Sequence, residues 1–557
     1  MRSTPQKFAA MLLCALLLLT GCGAQASEAD PAAGEDTTAE TVTVISAIDA
    51  ASLFSDRDLA GTYDESEAVT IQLSGDSAAC DSAAVTVDGG QITIGAEGVY
   101  LLSGTLTDGQ IVVDAGDTDK VQLVLSGADI TSSTSAAIYA LEADKVFLTL
   151  ADGTENTLSN GGTYTAIDDS NIDAVVFAKT DLTLNGSGSL TINAQAGHGV
   201  VSKDELTITG GSYTITAASH GLSGKDGIAI AGGTFSITSG KDGIHSENAD
   251  DLSLGALYIA DGSFIISAQG GAVSAQGALQ IDGGSFDLTA GEGSQSVEMT
   301  SGSDFGQVGG HRGGEAAAAE SAAETEENSV SQKGIKGESS CAINGGTFTI
   351  DSADDCLHAG GTMTIAAGTF TLSSGDDAVH CDDALTIQSG TFTIPYCYEG
   401  MEGLSITIED GICDITSHDD GLNAAGGADS SGFEGFGGRQ DSLGSSSDSF
   451  ITINGGALTI VSGGDSIDSN GDLTINGGTL DLTCNGSGDT ALDCDGTYAH
   501  NGGDVTTNDG SEASLGQMGA RGGAPGGKGG GQPDTAPDGA QPGDRRPQAG
   551  EAAGTPS

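Results

Sequence analysis

The sequence predicts an all-β fold, a right-handed, single-stranded parallel β-helix wound from coils of about 22 residues. Two observations carry this. The first is a recurring turn, seen in GGSYTITAASHGLS from Gly210, GGTFSITSGKDGIH from Gly232, GGTFTIDSADDCLH from Gly345 and AGTFTLSSGDDAVH from Ala367. Its aromatic residue marks the register: Tyr213 with Phe235, Phe264 with Phe286, Phe348 with Phe370 and Phe392, and later Leu458 with Leu480 recur at that spacing. The second is the alternation of apolar residues with Thr and Ser, as at Leu473, Ile475, Leu480 and Leu482, which marks short strands with one buried face.

The elements follow in order. A Gly pair between two runs lets the backbone take a positive φ at the corner, and a preceding Asn (Asn344, Asn454, Asn476) favours the same bend. No helix of ordinary length is expected between residues 85 and 510. With 90 Gly, no Trp and 4% aromatic residues, the interior is a thin stack of small aliphatic side chains. Solenoids grow by adding coils that touch only their neighbours, so residues 41–510 read as one domain despite their length.

Arg2 and Lys7 precede an apolar run from Met11 to Leu19, which is too short to span a membrane and ends in Thr20-Gly21-Cys22. Residues 1–22 therefore read as a bacterial lipoprotein signal with Cys22 as the lipidated N-terminus. Residues 23–40 read as a disordered stalk. The expected location is the extracellular face of the cell membrane, with the acyl anchor as the only membrane contact. Loop insertions are expected near 303–331 and 425–449, and a disordered Gly/Pro-rich tail over 511–557. The net charge of -62 excludes nucleic acid as a partner, because a phosphate backbone needs Lys and Arg to displace its counterions.

The chemistry lies seven residues after the aromatic. That column reads His198, His220, Asp242, Gly271, Lys333, Asp355, Asp377, Glu399, Asp420, Asp465 and then Asp489. Three residues on, a second column reads Val201, Ser223, His245, Ser274, Lys336, His358, His380, Glu402, Asn423 and Asp468. Asp354, Asp376 and Asp419 double the acid in three coils. Carboxylates stacked ~4.8 Å apart repel by roughly 3 kcal/mol at an effective dielectric of 20. Calcium, which takes six to eight oxygens in loose geometry, would offset that. The candidate metal ligands are Asp242, Asp354, Asp355, Asp376, Asp377, Glu399, Asp419, Asp420 and Asp465. Zinc is disfavoured, since no Cys and His cluster has the spacing of a structural site. The alternative is a solvated acidic edge of turn-capping Asp residues.

Runs such as KDELTITGGSYTIT, KDGIAIAGGTFSITSGKDGIHS and SQKGIKGESSCAINGGTFTIDSADDCLHA, with the Gly/Pro-rich tail, resemble the bacterial carbohydrate-binding β-helix proteins, among them clostridial surface proteins that bind cellulose and acidic, pectin-like polysaccharide. The likeness covers about residues 41–510. It implies a polysaccharide-lyase-like β-helix with calcium along the acidic edge, at the Asp pairs 354/355, 376/377 and 419/420, and without established catalysis. His198 and His220 depart from the pattern.

Three function classes follow. The first is a calcium-loaded surface protein binding an acidic, pectin-like polysaccharide or cellulose, with Tyr396 and Tyr398 as stacking platforms and Lys333 and Lys336 as polar contacts to sugar. The second is a calcium-dependent polysaccharide lyase, for which the same two lysines are the first candidates for the base, there being no Arg from Asp58 to His311. The third is a structural or adhesive fibre. Eight cysteines remain beyond Cys14 and Cys22, and they suit either disulfides or apolar filling of the interior.

Overall fold

A computed structural model describes residues 48–165, 171–251, 253–299, 331–425 and 448–519. The expected signal segment with Cys22, the expected stalk, and the bulk of the two expected insertions lie outside these residues. Among the described residues, 44 strands join one continuous, largely parallel sheet, in the manner of a solenoid. Three ladders run along it, each strand pairing with its counterpart in the next coil. In one ladder Tyr213 pairs with Phe235, Phe348 with Phe370, Phe370 with Phe392 and Leu458 with Leu480.

That first ladder holds the core together. Tyr213, Phe235, Phe264, Phe286, Phe348, Phe370 and Phe392 form one buried column, successive centroids 4.6 to 5.3 Å apart and the rings close to parallel. The strand spacing sets this face-on stacking, because register leaves each ring directly over the last. The Gly two places before each aromatic makes room for it. Gly368 has φ +140°, and a Cβ there would stand 2.7 Å from the Phe370 ring. The recurring corner thus answers both a backbone and a packing demand.

The asparagines before those glycines have a further role. Asn476 Nδ2 donates to Asn454 Oδ1 (2.8 Å) and Asn501 Nδ2 to Asn476 Oδ1 (2.8 Å), an amide ladder from coil to coil. Cys341, Cys356, Cys381, Cys397 and Cys413 are buried free thiols, so these cysteines fill the interior.

Both ends are covered. At the N-terminal end Val69–Gly75 pairs antiparallel with Ser77–Ala79, and Val85–Asp88 with Gln91–Ile94. The segment before them lies against the third ladder: Ile48 N–H donates to Gln280 Oε1, and buried Asp58 receives Lys145 (2.8 Å) and Thr183 (2.6 Å). At the other end the expected tail begins with a helix, Ser511–Gly519, whose Leu515 packs against the core. Ser511 Oγ accepts the Leu492 N–H at 3.1 Å. A bare last coil would present unpaired backbone groups, which is why its edge is covered rather than left open.

Candidate functional site

The two columns stand on the second ladder, which the turn after the aromatic strand leads into. Backbone pairing runs Ser223 to His245, Ser274, Lys336, His358, His380, Glu402, Asn423 and Asp468, the order expected for the second column. The first column is tied by hydrogen bonds between coils through His220, Asp242, Gly271, Lys333, Asp355, Asp377, Glu399, Asp420 and Asp465. Its last place falls to Thr490 and not to Asp489, since Ser466 N–H donates to Thr490 O.

A repeated contact explains the residue types. The column side chain of one coil accepts the N–H of the column residue in the next: His198 Nδ1 from His220 (3.3 Å), His220 Nδ1 from Asp242 (3.1 Å), Asp242 Oδ1 from Gly271 (2.8 Å), Asp355 Oδ1 from Asp377 (3.1 Å) and Asp420 Oδ1 from Asp465 (2.6 Å). Asp465 receives Thr490 in the same way. An unprotonated imidazole nitrogen serves as acceptor as well as a carboxylate does, so His198 and His220 continue the pattern. Burial drives both imidazoles towards the neutral form that this requires, pushing His198 down to about 4 and His220 to about 3.

The edge is buried rather than solvated over its middle coils. Asp354, Asp355, Asp376, Asp377 and Glu399 are all buried. Two coils supply their own cations. Lys333, only 4% exposed, reaches Asp354 (2.9 Å) and Asp355 (2.7 Å), and His358 Nδ1 meets Asp355 at 2.9 Å. Burial would raise the Asp355 carboxyl, yet Lys333 and His358 hold it well below the carboxylate range. At the expected calcium position an ammonium thus lies beside Asp354 and Asp355, while one oxygen each of Asp354, Asp355 and Asp376 come within 4.8 Å of one another. In the next coil His380 Nδ1 faces Glu402 (2.8 Å) and Asp377 (3.2 Å), and its Nε2 faces Asp382 (3.3 Å). Burial and Asp376 still push the Asp377 carboxyl up, despite that imidazole.

Towards the C-terminal end the compensation stops. Among the described residues no Lys, Arg or His pairs with Asp420 or Asp465. Burial, then Asp419 and Asp465, push Asp420 up to about 9; burial chiefly pushes Asp465 up to about 7. Asp419 Oδ1 and Asp420 Oδ1 converge over Gly464, both within 2.4 Å of where a Cβ on it would stand. Oxygens of Asp465, Asp468 and Asp493 come within 4.8 Å of one another. Between these coils Asn423, 1% exposed, gives its Nδ2 to Glu399 (3.0 Å), and its Oδ1 has no partner among the described residues. Buried amide oxygens are rarely left so. An all-oxygen set with an unsatisfied amide oxygen fits a hard cation such as calcium. Asn423, Asp468 and Asp493 escaped the sequence reading as ligands, although register had already placed the first two in the second column.

Two of the four sugar-contact candidates, Tyr398 and Lys333, are buried. Tyr398 is 5% exposed and donates to Asp419 Oδ2 at 2.6 Å, so it braces the acidic cluster and offers no stacking face. Tyr396 keeps partial exposure. Lys333 is enclosed in its ion pairs and is available neither to sugar nor as a base, whereas Lys336 remains at the surface beside Glu338 (2.7 Å). At the other end of the edge, Asp242 lies between two imidazoles, His220 and His245. This setting offers nitrogen where calcium prefers oxygen.

Known proteins bear on the whole. A carbohydrate-binding domain-containing protein of Acetivibrio thermocellus is 40% identical over 129 residues, 23% of this chain and 45% of that relative, so the chain spans less than half the relative's length. The solved structure of a polysaccharide lyase-like protein from C. thermocellum, a gadolinium derivative, is 35% identical over 39% of this chain and 89% of that one, with a TM-score of 0.38. A family model described as carbohydrate-binding domain-containing protein matches residues 88–378 and 376–523, and to that family this chain belongs.

Proposed function

We propose that the chain is a surface polysaccharide-binding protein that takes an acidic, pectin-like glycan, ahead of cellulose, at the C-terminal half of its acidic edge. The observation that carries this is the Asn423 Oδ1, buried and without a partner among the described residues, beside Asp420 and Asp465, with which no described Lys, Arg or His pairs. Asp419, Asp420, Asp465 and Asn423 would hold calcium. When bound, the ion supplies the positive charge that lets protein and uronate carboxylates approach one another. The residues do the rest: Tyr398 orients Asp419, and Asp420 and Asp465 fix the backbone of the following coil. The same reading takes the coils as right-handed, the hand that parallel crossovers adopt, about 22 residues each, and Cys22 as the lipid anchor holding the protein outside the membrane.

The test is retention on polygalacturonate and on its methyl-esterified form, with and without chelator, while unsaturated product is followed in the ultraviolet. Tighter retention on the free acid, lost with chelator and unaccompanied by product, supports the reading. Release of unsaturated sugar would move the protein to the lyases, and equal, chelator-insensitive retention would leave aromatic stacking or a structural fibre. Replacing Cys22 by Ser should release the protein into the medium.

A further inference from the structure

Among the described residues, Lys120, Lys225 and Lys336 meet their carboxylates at the surface. Lys333 differs. Its Nζ, on a side chain 4% exposed, reaches two acids that are themselves buried, Asp355 Oδ2 at 2.7 Å and Asp354 Oδ1 at 2.9 Å. Lys333 and Asp355 hold the same place in successive coils, 22 residues apart.

The groups around Asp355 suit attack on its carboxyl carbon. Its Oδ1 accepts the Asp377 N–H at 3.1 Å, and its Oδ2, between Lys333 and His358, meets the His358 Nδ1 at 2.9 Å. Asp354 Oδ1, beside the ammonium, is fixed by the Asp355 N–H at 3.0 Å. A lysine amine becomes a nucleophile once an adjacent base takes its proton, and a donor already aimed at the carboxyl oxygen stabilises the oxyanion that attack creates. Burial favours the product too. Two charges held away from water carry a desolvation penalty that a neutral amide does not, and an enclosed site keeps water from reversing the bond.

We propose that Lys333 and Asp355 condense into an intramolecular isopeptide bond that ties one coil covalently to the next, with Asp354 as general base. The ion pair in the structure is the reactant state. One ammonium proton passes by way of Asp354 to Asp355 Oδ2, giving a neutral amine beside a neutral acid. The Nζ lone pair then attacks Cγ, and the charge that develops on Oδ1 is held by the Asp377 N–H. A second proton follows through Asp354 to Oδ2, the Cγ–Oδ2 bond breaks, and water leaves. The third proton stays on the amide nitrogen, so ammonium and carboxylate become amide and water with no other reactant. The bond is separate from the calcium reading, which rests on Asp419, Asp420, Asp465 and Asn423.

The experiment compares the intact mass of the denatured full chain with that of Lys333→Arg prepared alike, allowing for the changed side chain. The parent should be lighter by one water, and proteolysis should yield a branched peptide joining the segment with Lys333 to the segment with Asp355. Cyclic imides at Asp-Gly pairs also lose water but are opened by hydroxylamine; the isopeptide loss should persist through that treatment. Asp354→Asn, with its fold checked by circular dichroism, should slow condensation by about 10²–10⁴-fold, read as the fraction cross-linked at fixed times after synthesis. A parent mass without the loss, a loss removed by hydroxylamine or retained in Lys333→Arg, a branched peptide lacking either residue, or an unchanged rate in folded Asp354→Asn would overturn the proposal.

Discussion

Lys333 Nζ lies 2.7 Å from Asp355 Oδ2 and 2.9 Å from Asp354 Oδ1, all three side chains buried. An ammonium from one coil thus occupies the place between coils where a metal ion was expected. Among the described residues the acidic edge divides accordingly into a part that carries its own cations and a part that does not.

Lys333→Met should destabilise the protein by about 3–5 kcal/mol, because it leaves two buried carboxylates without their partner. Denaturant unfolding would measure this. Calcium should restore part of the loss in Lys333→Met while leaving the Asp354 and Asp355 coil of the parent unaffected. A loss under 1 kcal/mol would show the pair to be incidental.

The uncompensated part should respond to pH. Asp420 and Asp465 are pushed up to about 9 and about 7 from an ordinary 3.8, so the folded protein holds protons that the unfolded chain has released. Their contribution is present in full below about pH 4 and lost as pH rises through 7 and 9. The metal-free protein should therefore melt at progressively lower temperature across that window. Calcium should flatten the fall, since it replaces those protons and binds only the folded state. Differential scanning calorimetry with and without chelator checks both statements.

The aromatic column should tolerate little. Phe370→Ala should cost about 3–5 kcal/mol by leaving a cavity between Phe348 and Phe392. Gly368→Ala should cost more than about 1 kcal/mol, as the new methyl would meet the Phe370 ring at a backbone conformation that L residues avoid. Thermal melts of the two variants would test this; a neutral Gly368→Ala would mean that the corner relaxes.

The two tyrosines should separate. Tyr398→Phe should lower stability by about 1.5–3 kcal/mol through loss of the bond to the Asp419 carboxylate and leave neutral glucan retention unchanged. Tyr396→Ala should weaken neutral glucan if stacking operates there at all. Affinity electrophoresis distinguishes the outcomes.

The solenoid class, the aromatic register and the membership of both columns were legible in the chain, because every coil repeats the same demands: a positive φ at the corner, an apolar residue at alternate places, one side chain over another. Repetition makes sequence distance equal to spatial order, so Asp355 under Asp377 and His358 under His380 follow from counting. Counting does not reveal what a side chain meets. That Lys333 turns inward to two carboxylates, that Tyr398 is enclosed against Asp419, that Asn423 leaves an oxygen unpaired, and that two histidines converge on Asp242 depend on burial and on the direction of each side chain across coils. Charge compensation is a property of three-dimensional neighbours in a low-dielectric edge, and only the tertiary structure decided which acids have a cation beside them among the described residues.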